Sequence, residues 1–198
     1  MGLDLTNEEG QTPLDEEEKE GLLISTITTK GELDEFEQLN IQKAVEWSLM
    51  KAWTAEKIFT EDFVKLLHYK MYGDVWKWGG KFRSTNKNIG VDSYKISVEL
   101  KHLLDDALYW IMHKTYSSHE ITIRFKHRIV SIHCFPNGNG RHSRLIADII
   151  SEQIFKNDVY TWGSVKFIKG NELRKAYISA LRKADKGEIN DLIEFASS

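Results

Sequence analysis

The chain has 198 residues with a net charge of −3, and 41% of them are hydrophobic, which is enough for one domain with a sizeable core. Its 27 Lys and Arg residues face 30 acidic ones without a concentrated basic stripe, and its one cysteine cannot form an internal disulfide, which argues against nucleic-acid binding and a disulfide scaffold. No apolar run reaches the length of a membrane span and the acidic start is unlike a signal peptide, so we expect a cytoplasmic protein without a membrane partner.

Residues 1–20 form an acidic arm with eight acidic residues and one lysine, a net charge of −7, so the other 178 residues carry +4. Such an arm is usually a solvated tail, but it could also oppose or mimic an anionic ligand of the basic body. Thr12-Pro13-Leu14-Asp15 predicts a helix start with Thr12 as N-cap, and Gly21 predicts its end after about two turns. We therefore predict an appendage at residues 1–30 and one domain over residues 31–198.

The rest of the chain is mostly helical in pattern, because prolines are rare and strand-like alternation is scarce. A long helix is predicted from about residue 32 to 50, with an inward face that carries Phe36, Leu39, Ala44, Trp47 and Leu49. Thr60 is predicted to cap a helix that runs to Tyr72 and ends at Gly73. Further helices are predicted at about 95–115, 119–132, 140–155, 172–184 and 188–196.

Residues 74–94 interrupt the helical pattern. They are rich in glycine, asparagine and tryptophan, and Ile89-Gly90-Val91 is one of their short apolar pieces. A β-hairpin is the regular structure that best suits such a stretch.

Residues His133 to Arg144 read His-Cys-Phe-Pro-Asn-Gly-Asn-Gly-Arg-His-Ser-Arg and lead into an apolar helix. A glycine-rich turn before a helix exposes backbone N–H groups and the positive end of the helix dipole, which together bind phosphate. Arg141 and Arg144 add fork-shaped donors for the same anion. His133 precedes the turn, where an imidazole base could take a proton from a hydroxyl aimed at the phosphate. The alternative is an ordinary helix-capping loop with a buried histidine and two solvated arginines.

This string resembles the signature of Fic proteins, His-Pro-Phe-x-(Asp/Glu)-Gly-Asn-Gly-Arg-x-x-Arg. It departs from that signature twice: Cys134 replaces the proline, and Asn137 replaces the acidic residue that holds magnesium on the nucleotide in the family. The resemblance covers about residues 32–196, and within the family the chain is most similar to a short bacterial subgroup labelled mobile mystery protein B. It implies an all-α, Fic-like helical domain, with a small β-hairpin flap at residues 83–96 beside the signature loop.

The resemblance implies a nucleotidyltransferase of the protein adenylyltransferase (AMPylase) type, which uses ATP with Mg²⁺ and moves AMP to a Ser, Thr or Tyr hydroxyl of a target protein. His133 would be the general base. Asn137 would contact the metal, more weakly than an acidic residue because a neutral carbonyl lacks charge. The nucleotide-binding residues would be Gly138, Asn139 and Gly140 as the anion cradle, Arg141 at the β-phosphate and Arg144 at the γ-phosphate. His142 is expected at the surface.

Two further family features bear on this chain. The flap of Fic proteins pairs with an extended segment of the target, and Ile89 and Val91 are its candidate docking residues here, although a purely structural hairpin is an equal alternative. Many Fic proteins are silenced by a helix with the pattern (Ser/Thr)-x-x-x-Glu-(Gly/Asn), whose glutamate pairs with the second signature arginine. Glu20 and Gly21 match its last two positions and are the regulatory candidates, with Glu16 as the alternative.

Other functions and partners stay open at this point. A weakly catalytic nucleotide-binding regulator is favoured by Asn137, and a phosphotransferase of the death-on-curing type is disfavoured by Gly140, which is a lysine in those toxins. The expected partners are ATP and an unidentified target protein. Self-modification near the flap, for example at Ser93 or Tyr94, and a homodimer are left open.

Overall fold

The computed structural model describes residues 14–164 and 170–198. Within these residues lie the helices α1 (Glu16–Lys19), α2 (Lys30–Leu49), α3 (Ala55–Ile58), α4 (Glu61–Tyr72), α5 (Ile96–His113), α6 (Ser118–Ile132), α7 (Asn139–Ile149), α8 (Gly170–Ala184) and α9 (Asn190–Ala196). A 3-10 turn, Ser93–Lys95, precedes α5, and a π-helical turn, Ile150–Ile154, continues α7. None of the helices in the described part of the chain is long and apolar enough to cross a membrane.

Capping residues explain where several helices begin. The Thr60 side chain accepts the Phe63 N–H at the start of α4, and Gly73 follows the last residue of that helix, which confirms the predicted bounds. Ser117 caps α6 in the same way. Each cap satisfies an N–H group that has no partner inside the helix. The helices predicted after residue 94 are also confirmed, with shifts of a few residues at their ends.

Helix α1 begins later than the sequence pattern predicts. Thr12 and Pro13 lie outside the described residues, and the N-cap of α1 is Asp15. The Asp15 carboxylate accepts the Glu18 N–H, and the Glu18 carboxylate accepts the Asp15 N–H, both at 2.9 Å. This reciprocal capping box stabilises a single helical turn that ends before Gly21.

The central helices α6 and α7 pack against each other. Residues 133–138, which we call the signature loop, connect them. Helix α5 and helix α9 contact α6, and α2 packs on α4. The main core includes fully buried Leu67, Leu100 and Phe135. A second, smaller core around Ile123 and Leu192 holds α8 and α9 against α6.

Helix α2 buries a different face from the one that its apolar residues predict. Phe36, Leu39 and Leu49 are 40%, 55% and 57% exposed, and Trp47 is half-buried, so only Ala44 of the predicted inward set is fully buried. The buried residues of α2 are Leu33, Glu37, Asn40, Ala44 and Ser48. The polar members of this face are tolerated because they have hydrogen-bond partners: the Glu37 carboxylate accepts the buried Trp76 indole N–H, and the Asn40 amide donates to Asp74.

The predicted β-hairpin flap is wrong. The described residues contain no β-strand, and their backbone forms one isolated bridge, between Leu22 and Trp76. Residues 83–92 are instead an irregular loop, which we call the 83–92 loop.

The 83–92 loop lacks hairpin pairing because its backbone bonds to the signature region. The Arg83 N–H donates to the Cys134 carbonyl at 3.0 Å, and the Val91 N–H donates to the Ile132 carbonyl at 3.3 Å. The Arg83 guanidinium donates to the carbonyl oxygen of Val91 as well. These groups are therefore not available for a ladder of hydrogen bonds between two strands of the loop itself.

Helix α1 is attached to the 83–92 loop by a largely buried lysine. The Lys87 side chain is 6% exposed, and its ammonium lies 2.5 Å from the Glu18 carboxylate and 3.3 Å from that of Asp15. Residues beyond α1 continue the contact, since the Leu23 N–H donates to Val75 and Ile27 is buried in the main core. The described part of the acidic arm is thus packed on the domain.

Replacing Lys87 with Met should weaken this attachment, because two carboxylates would lose their common partner. We expect a loss of about 2 kcal/mol in the free energy of unfolding, less than for a fully buried pair since Asp15 is partly exposed. Limited tryptic cleavage at Lys19 should also become faster. The matched control is Lys101→Met, which removes an exposed pair with Asp105 within α5. Equal changes in stability and in tryptic cleavage for the two substitutions would contradict the conclusion that Lys87 attaches α1 to the 83–92 loop.

Candidate active site

The signature loop is held between α6 and α7 by two residues with positive φ. His133 is the C-cap of α6 with φ 58°, a conformation that is uncommon for a residue with a side chain. Gly138 is the N-cap of α7 with φ 77°, and a Cβ at this position would lie 2.5 Å from the Tyr72 ring. Glycine is therefore required where the loop passes over Tyr72.

Asn139 closes the loop with its side chain. Its Oδ1 accepts the Phe135 N–H at 2.9 Å, and its Nδ2 donates to the Phe135 carbonyl at 2.8 Å. The Asn139 amide group thus holds the loop, and the role of this residue in an anion cradle stays a prediction. A Cβ at Gly140 would meet no atom within 4 Å, so the first turn of α7 is open on that side, where N–H groups at a helix N-terminus attract anions.

The His133 imidazole is buried and uncharged near neutral pH. Its side chain is 5% exposed, and this burial, together with the nearby positive charge of Arg83, lowers the pKa of His133 to about 4. A neutral imidazole has a lone pair that can accept a proton. The environment therefore favours the base form of this residue.

Arg83 positions His133 and was not identified from the sequence. Its Nε donates to the His133 carbonyl at 2.6 Å, and it also donates to the carbonyl oxygens of Thr85 and Val91. Gly90 lies against the histidine on the same side, since a Cβ there would come within 2.6 Å of the His133 Cβ. No signal in the sequence distinguishes Arg83 from a solvated arginine, because its partners are distant backbone groups.

Arg141 forms a salt bridge with a residue of α2. Its Nη1 lies 2.7 Å from Oε2 of Glu37, a residue that is 7% exposed. The guanidinium also lies over the Tyr72 ring, with its carbon 5.2 Å from the ring centroid. Glu37 was not identified from the sequence, although its spacing from Leu33 and Ala44 places all three on one helix face.

Arg144 lies one helical turn after Arg141 and is half-buried. Its guanidinium carbon is 5.9 Å from the centroid of the Tyr177 ring in α8. Within residues 14–164 and 170–198, no carboxylate forms an ion pair with it. Arg144 therefore presents a positive charge to the cavity described next.

One cavity of about 570 Å³ contains these groups. Its polar end is lined by His133, Asn137, Gly138, Asn139, Gly140, Arg141 and Arg144. The other end, which we call the apolar end, is lined mainly by the apolar and aromatic side chains of Trp162, Leu173, Tyr177, Ile178, Leu181 and Phe195, with Arg174 among them, and Glu37 and Ile89 also line the cavity. The volume, and the presence of a polar end and a largely apolar, aromatic end, suit a nucleotide.

Asn137 offers little to a metal ion. Its side-chain Oδ1 accepts the Gly138 N–H at 2.6 Å, and its carbonyl oxygen lies 3.1 Å from Nε2 of His68. The described residues contain no group of three or more His, Cys, Asp and Glu that could hold a metal. A neutral amide oxygen does not make a dedicated Mg²⁺ site, so such an ion would depend on the phosphates of a nucleotide.

His142 and Cys134 are both buried in the core behind the loop. The expectation that His142 lies at the surface is wrong: it is 1% exposed, its Nε2 lies 3.1 Å from the Val64 carbonyl, and burial lowers its pKa to about 4. Burial raises the pKa of the Cys134 thiol to about 12, so the thiolate needed for nucleophilic chemistry is not accessible.

The regulatory and docking candidates lie outside the polar end of the cavity. Glu20 is exposed at the C-cap of α1, and the Gly21 carbonyl accepts the Lys77 N–H. Val91 is half-buried and packs on the main core, while Ile89 reaches the cavity wall. The structure thus brings the catalytic and nucleotide candidates together and leaves Glu20 apart from them.

Known proteins share this fold. Residues 58–151 match the model of the Fic/DOC family, whereas no curated protein matches the chain. A Fic domain containing signaling protein from Bacteroides thetaiotaomicron is 17% identical with a TM-score of 0.67, over 81% of this chain and 66% of that one. Fic-1 from C. elegans is 20% identical with a TM-score of 0.67, over 90% and 51% of the two chains.

A third structure is BepC, a VirB-translocated Bartonella effector protein from Bartonella tribocorum with bound AMPPNP. It is 18% identical with a TM-score of 0.66, over 93% of this chain and 99% of that one. The present chain spans about two thirds of the Bacteroides protein and half of the C. elegans chain, and at these identities the likeness shows a shared fold. The finer resemblance to mobile mystery protein B stays a prediction. Residues 58–151 thus match the Fic/DOC family model, and the chain shares its helical fold with Fic domain proteins.

Proposed function

We propose that this protein is an adenylyltransferase that moves AMP from ATP to a Ser, Thr or Tyr hydroxyl of a protein. The observation that carries the proposal is the cavity in which an uncharged, buried His133 and two arginines meet the N-terminus of α7. The fold relative BepC, which has an ATP analogue bound, supports a nucleotide as the ligand of this cavity.

The nucleotide would lie with its phosphates at the polar end and its base at the apolar end near Trp162 and Tyr177. Arg141 and the N–H groups of α7 would hold the β-phosphate, and Arg144 would hold the γ-phosphate. His133 takes the proton of the acceptor hydroxyl as its oxygen attacks the α-phosphorus. The new P–O bond replaces the bond to the β-phosphate, and pyrophosphate leaves while the arginines and N–H groups stabilise its charge.

Magnesium supplies charge neutralisation to the phosphates when it is bound. Asn137 would give it one neutral oxygen, and the phosphates of the nucleotide would provide further ligands. Ile89 would contact the acceptor segment, and its position at the cavity wall supports this role. Self-modification and homodimer formation stay predictions.

The second candidate is a nucleotide-binding regulator with little turnover. Asn137 favours it, because a weakly held metal permits binding while transfer is slow. The two candidates differ in whether bound ATP is consumed.

We further propose that the active site is restrained by Glu37. Its carboxylate is paired with Arg141, the residue assigned to the β-phosphate, so a nucleotide must compete with it for the same guanidinium. The Trp76 indole N–H donates to the other oxygen of Glu37 at 2.8 Å and holds the carboxylate in place. Inhibition by Glu20 stays a prediction; in the structure that residue is exposed and Glu37 occupies the position next to a signature arginine.

Replacing His133 with Ala should abolish transfer and leave nucleotide binding nearly unchanged, because the base acts on the acceptor and not on the phosphates. We expect a fall in rate of about 100-fold or more. The measurement is intact-mass analysis after incubation with ATP and Mg²⁺, with calorimetric ATP binding on the same preparation. Transfer at the parental rate would contradict the assignment. Tight ATP binding without any mass gain in the parent protein would favour the regulator.

Replacing Glu37 with Gln should raise ATP affinity by about tenfold, which corresponds to about 1.4 kcal/mol, because Arg141 loses its competing anion. Gln retains an oxygen for the Trp76 indole, so the fold around it is kept. The unliganded variant should nevertheless be less stable by roughly 2 kcal/mol, since a partly buried guanidinium is left unpaired.

The matched control is Glu20→Gly. Higher affinity and faster transfer in the Glu20 variant, with no change in the Glu37 variant, would assign the inhibitory role to α1. A loss of affinity in Glu37→Gln would instead show that Glu37 orients Arg141 for the phosphate.

The rate of AMP transfer should be almost independent of pH over most of the physiological range. His133 must be unprotonated to act as a base, and burial with the Arg83 charge lowers its pKa to about 4. The rate should therefore stay level as the pH falls from about 7 to about 5, and decline only as the pH approaches 4. A pH profile measured on Glu37→Gln tests this. A half-maximal rate near the ordinary histidine pKa would show that the imidazole becomes solvated in the complex.

A further inference from the structure

A buried lysine lies close to Tyr177, a residue that lines the cavity. Lys126 of α6 is fully buried, and its side-chain nitrogen donates to the Tyr177 hydroxyl. The nitrogen lies 4.3 Å from the centroid of the Tyr177 ring and 5.8 Å from that of the Trp162 ring. In the described part of the chain no acidic residue forms an ion pair with it. A buried lysine without a carboxylate is rare, because the charged form loses its hydration without compensation.

The Tyr177 ring also lies next to an arginine. The Arg144 guanidinium carbon is 5.9 Å from the centroid of the Tyr177 ring, so Tyr177 is close to both basic side chains. Burial, and then the charge of Arg144, lower the pKa of Lys126 well below its usual range. Because arginine does not release its proton, the lysine is the group that relieves the repulsion.

We propose that Lys126 is an uncharged amine in the unliganded protein and takes up a proton when a terminal phosphate binds Arg144. This inference rests on the proposed function, since it requires a nucleoside triphosphate with its γ-phosphate at Arg144. The phosphate offsets the charge that repels the lysine, and the protonated lysine then adds a positive charge behind the phosphate. ADP adds no phosphate charge at Arg144, so Lys126 would make the site distinguish a triphosphate from a diphosphate.

Other titratable groups surround this pair and must be separated from it. Asp148 interacts with Arg144, and its Oδ1 accepts the Tyr160 N–H at 3.2 Å and the Trp162 indole N–H at 3.0 Å. Burial raises the pKa of Asp148 to about 6, so it could also gain a proton when phosphate arrives. His127, beside Lys126 on α6, is paired with Asp185 at 2.8 Å, and burial lowers its pKa.

The decisive experiment is calorimetric titration of the whole chain with ATP and with ADP, in EDTA at about pH 8, in three buffers of different ionisation enthalpy. The slope of the observed binding enthalpy against the ionisation enthalpy of the buffer gives the number of protons taken up on nucleotide binding. ATP should take up more protons than ADP, by up to about one. Lys126→Met, which keeps the apolar stem, should abolish the difference. Asp148→Asn, which retains Oδ1 for both of its donors, should preserve it.

Equal proton counts for ATP and ADP with the parent protein would overturn the proposal. An undiminished difference in Lys126→Met would also overturn it, and loss of the difference in Asp148→Asn alone would assign the proton to Asp148. Failure of both nucleotides to bind would refute the proposed function instead.

The uncharged state can be tested without a nucleotide. A lysine whose pKa is lower in the folded than in the unfolded protein makes stability rise with pH up to its unfolded value of about 10.4. The unfolding midpoint of the parent should therefore rise relative to that of Lys126→Met between about pH 7 and pH 10. Parallel curves for the two proteins would show that the amine is charged and would refute the proposal.

Discussion

The two hydrogen bonds between the Asn139 amide and the Phe135 backbone are the interaction on which the site depends. They fold the signature loop back on itself, so that α7 begins directly after it and its first N–H groups face the cavity. Gly138 lets the backbone pass over Tyr72, and Tyr72 in turn lies beneath the Arg141 guanidinium. The positions of the groups proposed to bind phosphate therefore follow from one short segment of the chain, which packs against the Tyr72 ring.

The parts of the site that the sequence predicts are those that are close together along the chain. His133, Gly138 and Arg141 belong to one string of residues, and most helix bounds follow from local caps such as Thr60, so both were accessible to pattern reasoning. Glu37 was missed because the apolar residues of α2 predict that another face of this helix is buried. The Glu37 carboxylate is buried because Trp76 and Arg141, which are distant in sequence, pair with it.

The hairpin prediction failed for a related reason. Turn residues in the 83–92 loop are compatible with a hairpin, but the guanidinium of Arg83 and the carbonyl groups near His133 take the backbone partners that a hairpin needs. Such competition between a side chain and the hydrogen bonds of a β-ladder depends on tertiary structure, so the local sequence does not predict it. Lys126 was equally hidden, since its burial depends on α8 and on Trp162.

The contact between Gly90 and His133 has a consequence for the proposed acceptor. The 83–92 loop lies against one side of His133, and His133 and Ile89 of that loop both line the cavity. In the proposed transfer reaction, an acceptor hydroxyl would approach the imidazole through the cavity and past this loop. A narrow, extended stretch of chain would fit that approach more readily than a residue within a helix or sheet, so a folded acceptor would react where such a stretch projects from its surface or opens transiently.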